Sequence, residues 1–413
     1  RRQRQMCIRD REAITKAQAL LNRPGEANVS PLAVYRHPSM TDSVQRHRPN
    51  VVLIMMESMS CKFMKHFGQS ETLTPFLDSL YTRSISFRNF YSAGIHTNHG
   101  LYATLYSFPA MMKRNLMKGS VIPRYSGLPT VLKENGYYNL FFMTHEGQYD
   151  NMNAFFRTNG YDEVFSQENY PADKVVNSFG VQDDFLYDYA IPVLNQRAAT
   201  GQPFFATLLS ISNHPPYVIP PFFHPKTSEP ETQIVEYADW ALRQFFEEAR
   251  KQPWFDNTIF VLEGDHGKLV GDAECELPES YNHIPLMIYS SRIQPEEKTT
   301  FGGQVDIQPT ILGLLNIDYL QNNFGVDLLK EERPCMFYTA DNMVVGRNDT
   351  LLYLYNYETQ QELTYHIGNG KLNAVPMGDS FLPLKEYSFS MLQSAEFLVK
   401  HGKTLNSIPF TQQ

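Results

Sequence analysis

Glu57, Thr97, Asp265 and His266 are the residues of this chain whose types and settings could carry a reaction. Glu57 closes the apolar run Val51-Val52-Leu53-Ile54-Met55-Met56, and Thr97 lies in the loop Gly94-Ile95-His96-Thr97-Asn98-His99-Gly100. Asp265 and His266 close the run from Thr258 to Leu262 in Glu263-Gly264-Asp265-His266-Gly267. Two carboxylates, one imidazole and a hydroxyl make a donor set suited to a single divalent cation. A hydroxyl held on such a cation loses its proton more easily and becomes a nucleophile near neutral pH. Each residue also has an ordinary reading. Acidic residues at strand ends are often caps or solvated turns, and Thr97 precedes Leu101–Tyr106, a stretch that can form a helix with Thr97 as its N-cap. The same helix N-terminus would favour an anion beside Thr97. Alone the segment reads as a cap; in the company of the other three it reads as a metal-activated threonine.

Such a set needs strands that end at one place. From Asn50 onward strand and helix patterns alternate: strands over 51–56, 84–90, 138–143, 203–210, 258–262 and 284–289, and helices over 74–82, 128–135, 185–197, 236–251 and 306–315. The alternation predicts an α/β fold with a mainly parallel central sheet flanked by helices, and ligands of such sheets sit at the carboxyl ends of the strands. Beyond Pro334 the runs become short and β-like, Gly368-Asn369-Gly370 signals a tight turn, and a helix follows over 386–401. The expected organisation is a connector over 1–49 with a helix from Arg11 to Leu21, a catalytic domain over 50–333, and a smaller C-terminal α+β subdomain over 334–413.

At 413 residues and 42% hydrophobic, the chain can bury a large core. A net charge of -8 and a pI near 5.9 argue against a nucleic-acid partner, which calls for a basic face. The 24 tyrosines and 28 phenylalanines read as core filling before they read as a stacking surface. Cys7, Cys61, Cys275 and Cys335 form no C-x-x-C pair, so redox compartment stays open. There is no apolar run long enough to span a bilayer, while the basic start Arg1-Arg2-Gln3-Arg4-Gln5 suits a segment that follows a membrane helix.

The strand ending in Glu57-Ser58, Thr97 in its glycine-containing loop, Gly264-Asp265-His266-Gly267 and Val305-Asp306-Ile307-Gln308-Pro309-Thr310-Ile311 resemble the alkaline phosphatase and sulfatase superfamily. Within it they look most like the lipoteichoic acid synthase and phosphoglycerol transferase branch, over about residues 50–330. The resemblance implies that Glu57, Thr97, Asp265 and His266 bind one divalent cation, manganese first and zinc or magnesium otherwise, and that Thr97 takes a phospho-substituent. It also implies a catalytic domain outside the cell membrane, tethered through N-terminal membrane helices. A sulfatase carries Cys or Ser in a C/S-x-P-x-R motif, whereas this chain has Thr97-Asn98-His99-Gly100-Leu101. His214 resembles a substrate-contacting histidine, and His283 stands where two-metal relatives place a second-site ligand, but their partner Asp is Ser210 here. One metal is therefore expected, with His214 and His283 holding phosphoryl oxygens or moving a proton to the leaving group. His145 and Asn151, in the segment after another strand end, are expected to line the substrate pocket, and His96 and His99 are further phosphate candidates. Lipoteichoic acid synthases carry a Trp and an Arg in that loop, where this chain has Asp150 and Met152 nearby, so the glycerophosphate donor stays open.

The expectation is thus a metal-dependent phosphotransferase passing a phosphoglycerol-like head group through Thr97 to a glycan or lipid acceptor. The same site with water as acceptor would be a phosphodiesterase or sulfatase-like hydrolase. A binding protein that keeps the fold without turnover is the reading from another class, and the presence of all four residues speaks against it.

Overall fold

The computed structural model describes residues 10–26, 28, 30–36 and 48–406. The basic start and Cys7 lie outside the described residues.

An eight-stranded sheet carries the candidate residues. Its order is β4 (Glu163–Phe165), β3 (Tyr138–Phe142), β5 (Phe204–Leu209), β1 (Asn50–Met56), β6 (Thr258–Gly264), β7 (Leu286–Tyr289), β2 (Ile85–Tyr91) and β8 (Glu296–Gly303). All run parallel except β7, which is antiparallel to both neighbours. The three central strands β5, β1 and β6 are buried at every residue, which is why they read as unbroken apolar runs. Alternate side chains of β1 enter opposite layers. Val51, Leu53 and Met55 face Leu101, Leu105, Val131, Phe155 and Ile311, which lie on α3 (Thr97–Tyr106), α4 (Leu128–Glu134), α5 (Met152–Thr158) and α8 (Ile307–Leu314). Val52, Ile54 and Met56 face Leu77, Leu80, Leu186, Leu194, Leu242 and Phe246, on α2 (Pro75–Tyr81), α6 (Asp183–Ala199) and α7 (Pro230–Ala249). Tyr91, Tyr102, Tyr106, Phe87 and Phe90 are fully buried, so many of the aromatics fill the core.

A second, antiparallel sheet follows, with β9 (Met336–Thr339), β10 (Met343–Arg347), β11 (Leu351–Asn356), β12 (Gln361–Gly368) and β13 (Lys371–Ala374) side by side in chain order. Asn369 and Gly370, at φ 50° and 71°, make the two-residue turn between the last two strands. The last helix, α9 (Leu382–Lys400), packs on this sheet and on α1 (Asp10–Leu21), with Lys16 3.5 Å from Glu386. A buried ion pair ties the two sheets' layers together. Arg333 donates to Asp306 at the head of α8, to the Phe324 carbonyl at 2.6 Å and to the Tyr387 hydroxyl of α9 at 2.7 Å.

The expected fold class is the observed one, and the differences are local. Helix α7 starts at Pro230 instead of Glu236, because Pro is tolerated in a first turn and Pro-Glu-Thr-Gln shows no apolar periodicity. Strand β8 was not expected: Glu296, Glu297, Lys298 and Thr299 are largely solvated at the sheet edge, so it lacks the apolar run of a covered strand.

Candidate active site

Strand register brings the two carboxylates together. Met56 on β1 pairs with Gly264 on β6, so the next residues, Glu57 and Asp265, leave the sheet side by side at its carboxyl edge. The Asp265 amide still bonds to the Met56 carbonyl at 3.0 Å, which carries the pairing into the site. After Glu57 the chain turns sharply at Ser58, whose φ is 51°. Its amide donates to Asp265 Oδ1 at 2.8 Å and its hydroxyl to Glu57 Oε1 at 2.6 Å. The Glu57 amide is held by Ser210 Oγ at 2.9 Å, so Ser210 anchors the backbone that presents Glu57.

Thr97 arrives from the other side, on the first turn of α3. Its hydroxyl donates toward Asp265 Oδ2 at 2.8 Å and lies 3.3 Å from Glu57 Oε2. The N-cap position belongs to His96, whose side chain makes no capping bond. The cap reading of Thr97 is therefore corrected: its hydroxyl serves the carboxylates and not a helix amide. Two features let α3 come this close. A Cβ on Gly100 would stand 2.2 Å from the Asp265 carbonyl oxygen, so only glycine fits that turn. Gln304 then clamps both sides, donating to the Asp265 carbonyl at 2.8 Å and accepting the Ala93 amide at 2.9 Å. Deeper along the same contact, Thr104 donates to the fully buried Glu263 at 2.5 Å. Gly100→Ala is expected to push Thr97 away from Asp265 and to lower turnover by about 100-fold, the scale of an ångström-sized misplacement; steady-state kinetics on the folded variant checks this, and wild-type kcat would refute the packing argument.

The residues fit a cation. Ligand atoms of Glu57, Asp265 and His266 all lie within 4.8 Å of one another, and His266 Nε2 is 3.7 Å from Glu57 and 3.6 Å from Asp265. His266 Nδ1 lies 2.7 Å from the Gly267 carbonyl. A carbonyl only accepts, so Nδ1 donates to it, and Nε2 is the ring nitrogen turned toward the carboxylates, the position from which an imidazole ligates a cation. Glu57 and Asp265 are both buried, and burial first, then the Asp265 charge, raises Glu57 well above the usual carboxylate range. Two adjacent buried carboxylates are the arrangement that a divalent ion would neutralise.

The remaining predicted residues are not brought into this cluster. His283 Nε2 bonds to the Arg88 carbonyl at 2.8 Å, its ring stacks on Tyr91, and Glu279 lies 3.9 Å from Nδ1. His214 bonds through Nδ1 to the Pro215 carbonyl at 2.6 Å and packs on Phe179. His145 is buried against Tyr149, and burial lowers its pKa. Asn151 donates to the Met117 carbonyl at 3.2 Å, and its neighbour Asp150 is paired with Lys118. His96 pairs with Asp341, and His99 is buried against the Arg114 carbonyl, its pKa pushed down to about 4 mainly by burial.

Several residues that sequence reasoning passed over do border the cluster. Asn213 donates to the carbonyls of Glu57 and Ser58, both at 3.2 Å, and accepts from Lys268. Tyr149 and Tyr217 feel the Glu57 carboxylate, although burial is the largest cause of their raised pKa values. Lys268 is pushed down to about 8 by burial, against the opposing pull of Glu57. The signal for Lys268 was its place two residues after His266, and the others share the segments of predicted site residues, Asn213 and Tyr217 with His214 and Tyr149 with His145 and Asn151.

Comparison with known proteins bears on the family and the fold. The sulfatase family model matches residues 49–317. A lipoteichoic acid synthase 2 of Bacillus subtilis is 24% identical over 315 residues, covering 68% of this chain and 47% of its own length. The chain thus spans about half the length of the curated relatives it matches. A crystal structure of a protein in the alkaline phosphatase superfamily from Vibrio parahaemolyticus superposes with a TM-score of 0.84 at 25% identity, covering 97% of both chains. The lipoteichoic acid synthase of Listeria monocytogenes shares the fold with a TM-score of 0.70 at 21% identity, over 88% of this chain and 96% of its own.

Proposed function

The chain belongs to the sulfatase family of the alkaline phosphatase superfamily, and from that premise we propose that it is a metal-dependent phosphotransferase whose nucleophile is Thr97. The observation that carries the reading is the Thr97 hydroxyl, held 2.8 Å from Asp265 and 3.3 Å from Glu57 and serving no helix cap. Glu57, Thr97, Asp265 and His266 would hold one divalent cation, manganese first; when bound, it supplies a lowered hydroxyl pKa and charge neutralisation at a phosphoryl oxygen.

Thr97 Oγ then forms a bond to phosphorus while the bond to the leaving oxygen breaks, and its proton passes to the carboxylate oxygen it already faces. The first amides of α3 lie beside the new phospho-threonine and favour its negative charge. A glycan or lipid hydroxyl attacks the same phosphorus in the second half-reaction and releases Thr97. His214, next to Asn213, has Nδ1 engaged and Nε2 available to exchange a proton with the leaving or entering oxygen. Water in place of the second alcohol turns the same steps into phosphodiester hydrolysis. Formylglycine chemistry has no precursor here, since Thr97 replaces the Cys or Ser and no Pro or Arg follows in the required places.

Relatives named as lipoteichoic acid synthases support a phosphoglycerol-like donor, a phospholipid or glycan substrate and an extracytoplasmic, membrane-tethered setting for the full-length protein. No helix of the described residues is long and apolar enough to cross a membrane. The test is to load the purified domain with manganese, present a phosphodiester, a sulfate ester and anionic membrane lipids, and analyse the Thr97 peptide by mass spectrometry. Turnover of the phosphodiester with a phospho-adduct on Thr97 is expected, and its mass identifies the group carried. Turnover of the sulfate ester alone, with Thr97 unmodified, would overturn the reading.

A further inference from the structure

Lys268 brings a positive charge to the rim of the carboxylate cluster and has nothing negative to pair with. Its Nζ lies 2.5 Å from Asn213 Oδ1, 3.0 Å from the Tyr217 hydroxyl and 3.4 Å from the Asn213 carbonyl. All three partners are neutral. The orientation of Asn213 is set independently, because its Nδ2 must donate to the carbonyls of Glu57 and Ser58, which leaves Oδ1 facing the lysine. The rings of Tyr217 and Phe63 lie 4.8 Å and 5.5 Å from the ammonium, and the side chain stays half-buried, open on its remaining side. Among the described residues no carboxylate stands within ion-pair distance of it; Glu57 and Glu231 act on it only from farther away, and Glu57 is committed to Ser58, Thr97 and His266.

An ammonium seated among neutral groups gives up hydration without gaining a counter-charge. Such an arrangement is worth keeping if the counter-charge arrives with a ligand. We propose that Lys268 is the ion-pair partner of an anionic oxygen on the substrate's tetrahedral oxyanion, so that the site selects anionic phosphate esters over neutral ones. The Asn213 bridge makes this specific: one side chain holds both the backbone that presents Glu57 and the lysine that receives the anion, so the two charges keep a constant spacing. The inference rests on the phosphotransferase reading above and deepens it, since it names a recognition residue for the same site. It also predicts that an ester without a negative oxygen gains nothing from Lys268.

The probe is inorganic phosphate, titrated into the manganese-loaded protein as wild type, Lys268→Gln and Lys268→Arg. The glutamine variant should weaken phosphate binding by about 10- to 100-fold, the range for losing a charged hydrogen bond, and the arginine variant should keep most of the affinity. Added phosphate should raise the melting temperature of the wild type and not that of Lys268→Gln. In the metal-free, phosphate-free protein the glutamine variant should melt at or above the wild-type temperature, because an unpaired charge is gone; a lysine that merely tethers Asn213 and Tyr217 would make it melt lower. Wild-type phosphate affinity in Lys268→Gln, a lowered melting temperature of its metal-free form, or no measurable phosphate binding by the wild type would each overturn the inference. Turnover of bis(p-nitrophenyl) phosphate by the wild type judges the phosphotransferase reading separately: without turnover that reading falls, while Lys268-dependent phosphate affinity would still establish the anion site.

Discussion

Thr97→Ala is expected to leave a folded, metal-binding protein whose turnover of a phosphodiester is lower by at least about 1,000-fold, the scale seen when a nucleophile is removed and only binding and electrostatics remain. The size of the effect separates two roles. A lost helix cap costs about 0.5–2 kcal/mol of stability and leaves chemistry alone, and here the cap position is already His96, so even that cost should be small. The Thr97 hydroxyl contacts two carboxylates and no helix amide, so its removal changes charge and reactivity at the cluster before it changes packing. Thr97→Ser keeps an oxygen in the same place and should retain measurable activity. The check is kcat with a phosphodiester at saturating manganese, together with metal content by elemental analysis. Near wild-type turnover in a Thr97→Ala protein with normal metal content would eliminate the threonine mechanism.

The four central residues were legible in the sequence because each sits against a strong local signal. Glu57, Asp265 and His266 terminate apolar runs that could only be covered strands, and strand ends of a parallel sheet converge. Thr97 was legible as a chemical candidate but ambiguous as a cap, since the deciding contact, with Asp265, spans 168 positions of chain. Gly100 was visible as a glycine, yet its purpose, closeness to the Asp265 carbonyl, belongs to the packing of α3 on β6. His214 and His283 show the converse. Their sequence settings suggested site residues, while the contacts that hold them in place were invisible: Arg88 and Tyr91 at His283, and Pro215 and Phe179 at His214, whose Nε2 keeps the proton role proposed above. Lys268 and Asn213 were visible only as neighbours of His266 and His214, because their own contact arises only when two loops meet.

Asp265→Asn carries the second large expected effect. The amide keeps an oxygen to accept from the Ser58 and His266 amides, which Asp265 Oδ1 does at 2.8 Å and 2.7 Å, so the turn should survive. The charge beside Glu57 is lost, and with it a hard oxygen ligand. Manganese affinity should fall by more than about 100-fold, beyond the 10- to 100-fold typical of an outer-shell change. The stabilisation that manganese confers on the wild type, about 2.7 kcal/mol at a hundred times its dissociation constant, should vanish in a thermal melt. In the metal-free protein the order should reverse: burial and then the Asp265 charge raise the Glu57 pKa, so relieving that charge should make the variant the more stable of the two at neutral pH. The pH dependence follows with its sign. A carboxyl whose folded pKa is raised above its ordinary value of 4.5 contributes stability that is full below that value and lost as pH rises through the folded one. A metal ligand must be deprotonated, so manganese affinity should run the other way, weak in acid and rising with pH until Glu57 has lost its proton. Binding isotherms over a pH series, on wild type and Asp265→Asn, would show a steeper rise for the wild type at each pH below its plateau. Equal manganese content in the two proteins would sink the assignment of Asp265 as a ligand, and a wild-type affinity that falls as pH rises would remove Glu57 from the site.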